Sequence, residues 1–320
     1  MPLFIGPSTT LPLNTRDFPL SDGAVFLTKN LGMYENTNPC ETLKFVNHVY
    51  NIVFLSLMEQ FLTVGRIPFL VCAPFFHRFL DNPLPKIRFL DGTPSEQNKR
   101  LREGLIMLSP SSSIEYAKNP KDYVICRRFC TASTLEIRSV KLFSKCKWED
   151  LSGKPVYITE QSDTSVILMK LISSLYFKVD PVWNADEGTC HAKLLIGDFA
   201  LRESAKEKWE YSYDLASIWQ EWLDLPFVFG IWIIRKEAST GGLANLLKNY
   251  LDETEMSIKE FKENRAHCLQ KWEKHFQSKL PQHLAYDYYN AVDYSFGSEH
   301  EKSLKKFYAL CGMNAELVFV

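Results

Sequence analysis

Ser111, Ser112 and Ser113 stand directly before Ile114 and Glu115, and Ser162, Asp163, Thr164 and Ser165 stand directly before Val166. Small hydroxyl side chains at the start of a helical segment suit one kind of chemistry, the neutral recognition of an anion. The first N–H groups of a helix have no partner within it, and the helix dipole adds partial positive charge at that end. Ser112 and Glu115, three apart, also spell a capping box. One hydroxyl-rich cap is ordinarily structural. Two of them in different halves of a chain gain a joint meaning if the halves face one another, because both donor sets then reach into one cleft. Such a cleft would suit a ligand with two carboxylates. Its candidate donors are Ser112, Ser113, Thr164 and Ser165.

Gly197 and Asp198 follow an apolar run, and Asp198 is a candidate general base or an orienter of a ligand hydroxyl. The competing reading is an aspartate that caps the next helix. Tyr213, Asp214, Leu215, Trp219 and Trp222 form an aromatic segment that reads more simply as core than as ligand wall. The chain has no G-x-S-x-G, Walker loop or dinucleotide fingerprint, so no nucleotide cofactor is expected. Its seven histidines lack H-E-x-x-H or paired Cys/His spacing, and no metal is expected either. The eight cysteines are scattered without a C-x-x-C pair, which fits reduced thiols in an intracellular protein. Cys126 and Cys130 flank Arg127 and Arg128, a placement that could lower a thiol pKa, although inert thiols are the simpler reading.

The 37 Lys and Arg against 38 Asp and Glu, a net charge of -1, exclude a strongly basic nucleic-acid binder. The N-terminus has no basic stretch leading into an apolar core, so no signal peptide is expected. The most apolar stretch, 46–76, is broken by Glu59, Gln60, Gly65, Arg66 and two prolines, so no membrane span is expected. These features point to a soluble, cytoplasmic chain without nucleic-acid or membrane partners. A length of 320 residues is enough for two medium lobes.

The elements that must position the candidate residues follow a theme. A short apolar strand runs into a Ser, Thr, Gly or Pro loop, and the loop opens a helix. Strands are expected over 64–71, 105–108, 155–159 and 193–196, with the serines at 109–113 as a loop. This alternation predicts an α/β fold with largely parallel sheets. The β-rich segments 137–143 and 227–234 are expected to be the two crossings between lobes. The expected organisation is an N-terminal extension over 1–63, a discontinuous first lobe over 64–144 and 227–320, and a second lobe over 145–226. Within the extension, 41–62 has helical spacing. The stretch 253–276 reads as one long charged helix whose apolar members are Met256, Ile258, Phe261, Leu269 and Trp272.

Several of these runs together resemble the menaquinone-biosynthesis chorismate dehydratase family. They are 92–98 (GTPSEQN), 110–117 (PSSSIEYA), 139–144 (SVKLFS), 162–166 (SDTSV), 194–201 (LLIGDFAL) and 225–232 (LPFVFGIW). Tyr213, Asp214, Leu215, Trp219 and the stretches 289–297 and 304–307 fit the same pattern, so the resemblance runs from about Val64 to the C-terminus. It implies a two-lobed, type II periplasmic-binding-protein-like fold used by a cytosolic enzyme without a cofactor. The implied reaction is dehydration of chorismate to 3-[(1-carboxyvinyl)oxy]benzoate, the entry step of the futalosine route to menaquinone. The substrate-binding positions it implies include Val71, Ser133 and Gly197 beside the four hydroxyl donors, with Asp198 as the catalytic candidate.

Four features depart from the family pattern. Val71 stands where an asparagine is expected, in the run Arg66, Ile67, Pro68, Phe69, Leu70, Val71. Leu135 and Glu136 follow Ser133 and Thr134 where the family has Gly-Pro, which would crowd the pocket and add negative charge unless Glu136 points away. His191 occupies a usually acidic position, and 1–63 has no counterpart. Three readings follow: a divergent dehydratase that replaces the lost donor, an altered homologue that only binds a small carboxylate, and an interaction protein whose extension recruits a partner or closes a homodimer.

Overall fold

The computed structural model describes residues 61–276 and 287–320. The expected arm and nearly all of the helix over 41–62 lie outside them. The described residues open with β1 (Leu62–Arg66), a 3-10 turn (Leu70–Cys72) and one helical turn (Ala73–Phe76). β2 (Ile87–Asp91), α1 (Pro94–Arg102), β3 (Leu108–Ser112), α2 (Ser113–Lys118) and β4 (Tyr123–Ser133) follow. A second set then comprises β5 (Val140–Ser144), β6 (Pro155–Ile158), α3 (Asp163–Leu171), β7 (Val182–Trp183), β8 (Ala192–Ile196), α4 (Gly197–Ser204), β9 (Tyr211–Asp214) and α5 (Leu215–Leu223). The chain returns through β10 (Phe227–Arg235), α6 (Gly241–Glu263), α7 (Arg265–Phe276), β11 (Asp293–Ser295) and α8 (Ser298–Leu310).

The strands form two sheets, ordered β11-β4-β10-β3-β1-β2 and β7-β6-β8-β5-β9. β1 runs parallel to β2 and β3, but β10 runs antiparallel to β3 and β4. In the second sheet β6 is parallel to β7 and β8, while β5 is antiparallel to β8 and β9. Both sheets are therefore mixed rather than largely parallel. β5 and β10 run against both of their neighbours, a direction that strand and helix alternation does not encode. Val140–Ser144 pairs with β8 and β9 and so belongs to the second sheet.

β3 and β10 are central and nearly continuous in small or apolar residues, as strands covered on both faces must be. Ser109, Ser111 and Ser112 therefore lie in a strand, not in the expected loop: Ser111 pairs with Ile231 and Ser112 with Gly230. Around Trp232 the rings of Phe75, Phe76 and Phe129 pack at centroid distances of 5.3, 5.7 and 5.8 Å. Burial of such side chains stabilises by roughly 25 cal/mol per Å² of apolar surface.

Local signals set the helix ends. Thr93 and Glu96 form a reciprocal capping box at α1, and Pro94 occupies the first turn, where a missing N–H costs nothing. The expected long helix over 253–276 divides into α6, which begins at Gly241, and α7, with a break at Asn264 (φ -127°, ψ 39°). Met256, expected on its apolar face, is half exposed. Among the described residues, no helix is long and apolar enough to cross a membrane.

Candidate functional site

The ends of β3, β8 and β10 and the start of α3 enclose a cleft of about 580 Å³, its open mouth included. Hydroxyls of Ser111, Ser112, Thr131, Ser139, Ser162 and Ser165 line it. Ile67, Phe69, Val71, Ile137, Val140, Ile196 and Phe229 supply apolar walls. Among the described residues that line the cleft, no side chain carries a formal charge. A carboxylate entering it would meet neutral donors and the unpaired N–H groups of α3.

The wall on the β1 side is the 3-10 turn Leu70–Cys72, fixed through its backbone. The Leu70 N–H donates to Asp198 Oδ1 at 3.0 Å, Tyr289 donates to the Leu70 carbonyl at 2.6 Å, and Tyr294 donates to the Val71 carbonyl at 2.9 Å. The turn thus presents the Val71 side chain to the cleft. Cys72 is buried beside it, and burial, aided by the negative charge of Asp198, pushes its thiol far above the ordinary range. The Cys126 thiol is likewise pushed up to about 11, chiefly by burial, which outweighs the neighbouring arginine. Burial raises Cys130 as well, so the flanking arginines do not activate this pair.

The opposite wall is α3. Its N-cap, Ser162, accepts the Ser165 N–H at 3.4 Å, and the two side-chain oxygens lie 3.1 Å apart. Thr164 reaches across and accepts the Ile114 N–H at 3.0 Å, capping α2 from the other lobe. Lys118 pairs with Asp163 at 2.6 Å, and Ser95 donates to the Glu160 carbonyl at 2.8 Å, so the two lobes are stitched together beside the cleft.

Gly197 opens α4 with φ +56°, a conformation that glycine adopts freely. A Cβ there would fall 2.8 Å from the Phe69 ring. Both constraints require glycine at this meeting point of the lobes.

Of the candidates, Ser112, Ser165, Val71 and Gly197 come together around the cleft. Ser113 and Thr164 do not line it; they are buried 3.3 Å from each other, and Thr164 serves as an interlobe cap. Ser133 is buried in the β4–β10 ladder opposite Phe227. Asp198 also lies outside the lining, and it is not the helix cap, which is Ile196. Its carboxylate binds the Leu70 N–H, with the Arg202 guanidinium 4.0 Å away.

Ser112 and Glu115 form no capping box. Glu115 is drawn off by Arg102 and Asn119, and the Ser112 hydroxyl is buried without a partner among the described residues. Leu135 is exposed, Glu136 pairs with Arg138 and Lys141, and His191 is exposed. None of these three lines the cleft.

Sequence reasoning missed Ser139, Thr131 and Ser162 as lining residues. Ser139 opens the 139–144 run, which was a signal of place but not of role, whereas Thr131 sits mid-strand without a motif.

A trio far apart in sequence, His77, Glu260 and Cys268, brings potential ligand atoms within 4.8 Å of one another. Glu260 is already bound to Arg78 at 2.9 Å. The positive charges of Arg78 and Lys271 also act on His77. These surroundings oppose a cation, and the trio stands apart from the cleft.

The model of a family described as menaquinone biosynthesis matches residues 62–313. A Thermus thermophilus protein named chorismate dehydratase is 31% identical over 182 residues, which cover 50% of this chain and 65% of that protein. The chain thus spans just under two thirds of the length of this relative. Among solved structures, a protein of Archaeoglobus fulgidus aligns with TM-score 0.64 at 17% identity, over 80% of this chain and 98% of that one. The alkanesulfonate-binding protein SsuA of Xanthomonas axonopodis pv. citri, bound to MOPS, aligns with TM-score 0.57 at 13% identity, over 79% and 94%. A Candida albicans protein with the generic periplasmic binding protein fold aligns with TM-score 0.59 at 11% identity, over 80% and 91%. At these identities the likeness is one of fold, and the fold is two-lobed and periplasmic-binding-protein-like.

Proposed function

The chain belongs to the menaquinone-biosynthesis family, and on that premise we propose that it is a cytoplasmic carbon–oxygen lyase that dehydrates chorismate to 3-[(1-carboxyvinyl)oxy]benzoate. The observation that carries this reading is the cleft lined by hydroxyls and apolar side chains, with no formal charge among the described lining residues. A dicarboxylate would be held at its oxygens by serine and backbone donors, and its ring would lie against Ile67, Phe69, Ile137 and Phe229. Each such hydrogen bond contributes on the order of 1–3 kcal/mol when the acceptor is charged.

In the reaction, the C–H bond at the ring carbon bearing the enolpyruvyl ether breaks, and its electron pair becomes part of the aromatic ring. The neighbouring C–OH bond breaks, and hydroxide leaves with a proton as water. Aromatisation drives the step, so the protein chiefly orients the substrate and assists the departing oxygen. Among the described lining residues there is no Asp, Glu, His or Lys to accept the proton. The substrate's own enolpyruvyl carboxylate, adjacent to that C–H bond, takes it in this reading and passes it to the departing hydroxide, so that one water leaves and the carboxylate is regenerated. Asp198 acts through the Leu70 N–H instead, holding the turn that carries Val71.

Val71 favours a second reading, since valine cannot donate to a leaving hydroxyl. In that case the chain binds a small carboxylate without converting it. Incubation with chorismate, with both product mass and melting temperature recorded, separates the two. Loss of one water supports the dehydratase. A ligand-induced rise in Tm without product supports the binding protein, and the absence of both responses would overturn the carboxylate site.

A further inference from the structure

Tyr288 is wholly buried, and its phenol donates to Ser139 Oγ at 2.9 Å. It has no other acceptor among the described residues. A serine hydroxyl has one hydrogen and two lone pairs. With the phenolic hydrogen aimed at its oxygen, the Ser139 hydroxyl must direct its own hydrogen away from Tyr288. The reverse arrangement would strand the phenolic hydrogen in the core, at about 1–3 kcal/mol. Burial holds the phenol protonated far above its ordinary range, so it remains a donor at every working pH. The backbone of Ser139 is also fixed, its carbonyl accepting the Gly197 N–H at 2.7 Å. Ser139 lines the cleft together with Val71, which offers no hydrogen.

We infer that Tyr288 is a positioning residue that turns the Ser139 hydroxyl hydrogen into the cleft, where it supplies a ligand-facing donor in place of the one that Val71 lacks. This rests on the carboxylate reading of the cleft and adds to it a site for one ligand oxygen opposite Ser139. Tyr288→Phe removes one oxygen from the core and leaves the ring in place, and Ser139→Thr keeps the hydroxyl.

The test compares the native protein, Tyr288→Phe, Ser139→Ala, Ser139→Thr and the Tyr288→Phe/Ser139→Ala double variant. Kd is measured for chorismate and for benzoate, the aromatic carboxylate of the proposed product, alongside turnover. Ser139→Ala is expected to raise both Kd values about tenfold, and Tyr288→Phe about three- to tenfold. Adding Tyr288→Phe to Ser139→Ala is expected to change Kd by less than about twofold, because the phenol acts only through the serine. Ser139→Thr is expected to restore binding toward the native value.

Benzoate binding that follows this pattern without chorismate turnover would uphold the positioning role while sinking the dehydratase reading. A Tyr288→Phe variant that binds like the native protein would overturn the inference with the dehydratase reading intact, and so would additive losses. A native protein that binds neither carboxylate would overturn the inference together with the site.

Discussion

The Ser112 hydroxyl is buried at the cleft wall with no hydrogen-bond partner among the described residues, an arrangement that costs about 1–3 kcal/mol until a ligand oxygen meets it. Ser165 faces the same space from the other lobe. Replacing both by alanine should weaken chorismate binding at least about tenfold, while Ser112→Ala alone should leave Tm unchanged or raised. Isothermal titration and a melting curve check both; unchanged affinity in the double variant would remove the hydroxyls from the site. Cys72 lines the cleft, and its neutral thiol should resist iodoacetamide at pH 8, as should buried Cys126 and Cys130, until the protein is unfolded. Peptide mapping after a brief labelling pulse reads this directly, and rapid native labelling of Cys72 would contradict it. Residue types were legible in the sequence, but facing was not. Ser112 and Ser113 are adjacent and alike, yet only the first lines the cleft, because strand geometry and the neighbouring lobe decide which hydroxyl turns inward.

Among the elements, the 3-10 turn Leu70–Cys72 carries most of the functional argument. Its backbone is tied to Asp198, Tyr289 and Tyr294, residues up to 223 positions away in sequence. Asp198→Asn keeps an acceptor oxygen for the Leu70 N–H. Turnover of that variant should stay within about tenfold of native, whereas Asp198→Ala should lose more by freeing the turn. Steady-state kinetics on both would decide: loss of turnover in Asp198→Asn with native Tm would make Asp198 the base after all.

Gly197→Ala should lower stability by about 1–3 kcal/mol, from the left-handed backbone and the clash with Phe69. Denaturant unfolding reads that loss, and a native midpoint would show that the Phe69 contact yields. The cap at Ser162 was legible because it needs only residues three apart. The pairing of Ser112 with Glu115 failed by the same rule, since a β10 partner holds Ser112 in a strand and Arg102 claims the carboxylate.

At the scale of the molecule, two mixed sheets meet around one cleft, and contacts such as Lys118–Asp163 and Thr164–Ile114 join them beside it. The order of short motifs from about Val64 onward was enough to anticipate this two-lobed fold. Strand direction was not legible, because parallel and antiparallel neighbours place apolar residues alike in a fully covered strand. Nor was the tyrosine cluster, which acts on the cleft through backbone carbonyls and one serine.

On the proposed function, this cleft dehydrates chorismate although valine stands at position 71. The most direct test is turnover of chorismate by the native protein and Val71→Asn side by side, with the loss of one water followed by mass spectrometry. The native chain is expected to form product, with Val71→Asn at a similar or higher rate. Product from Val71→Asn alone, or from neither protein, would contradict it.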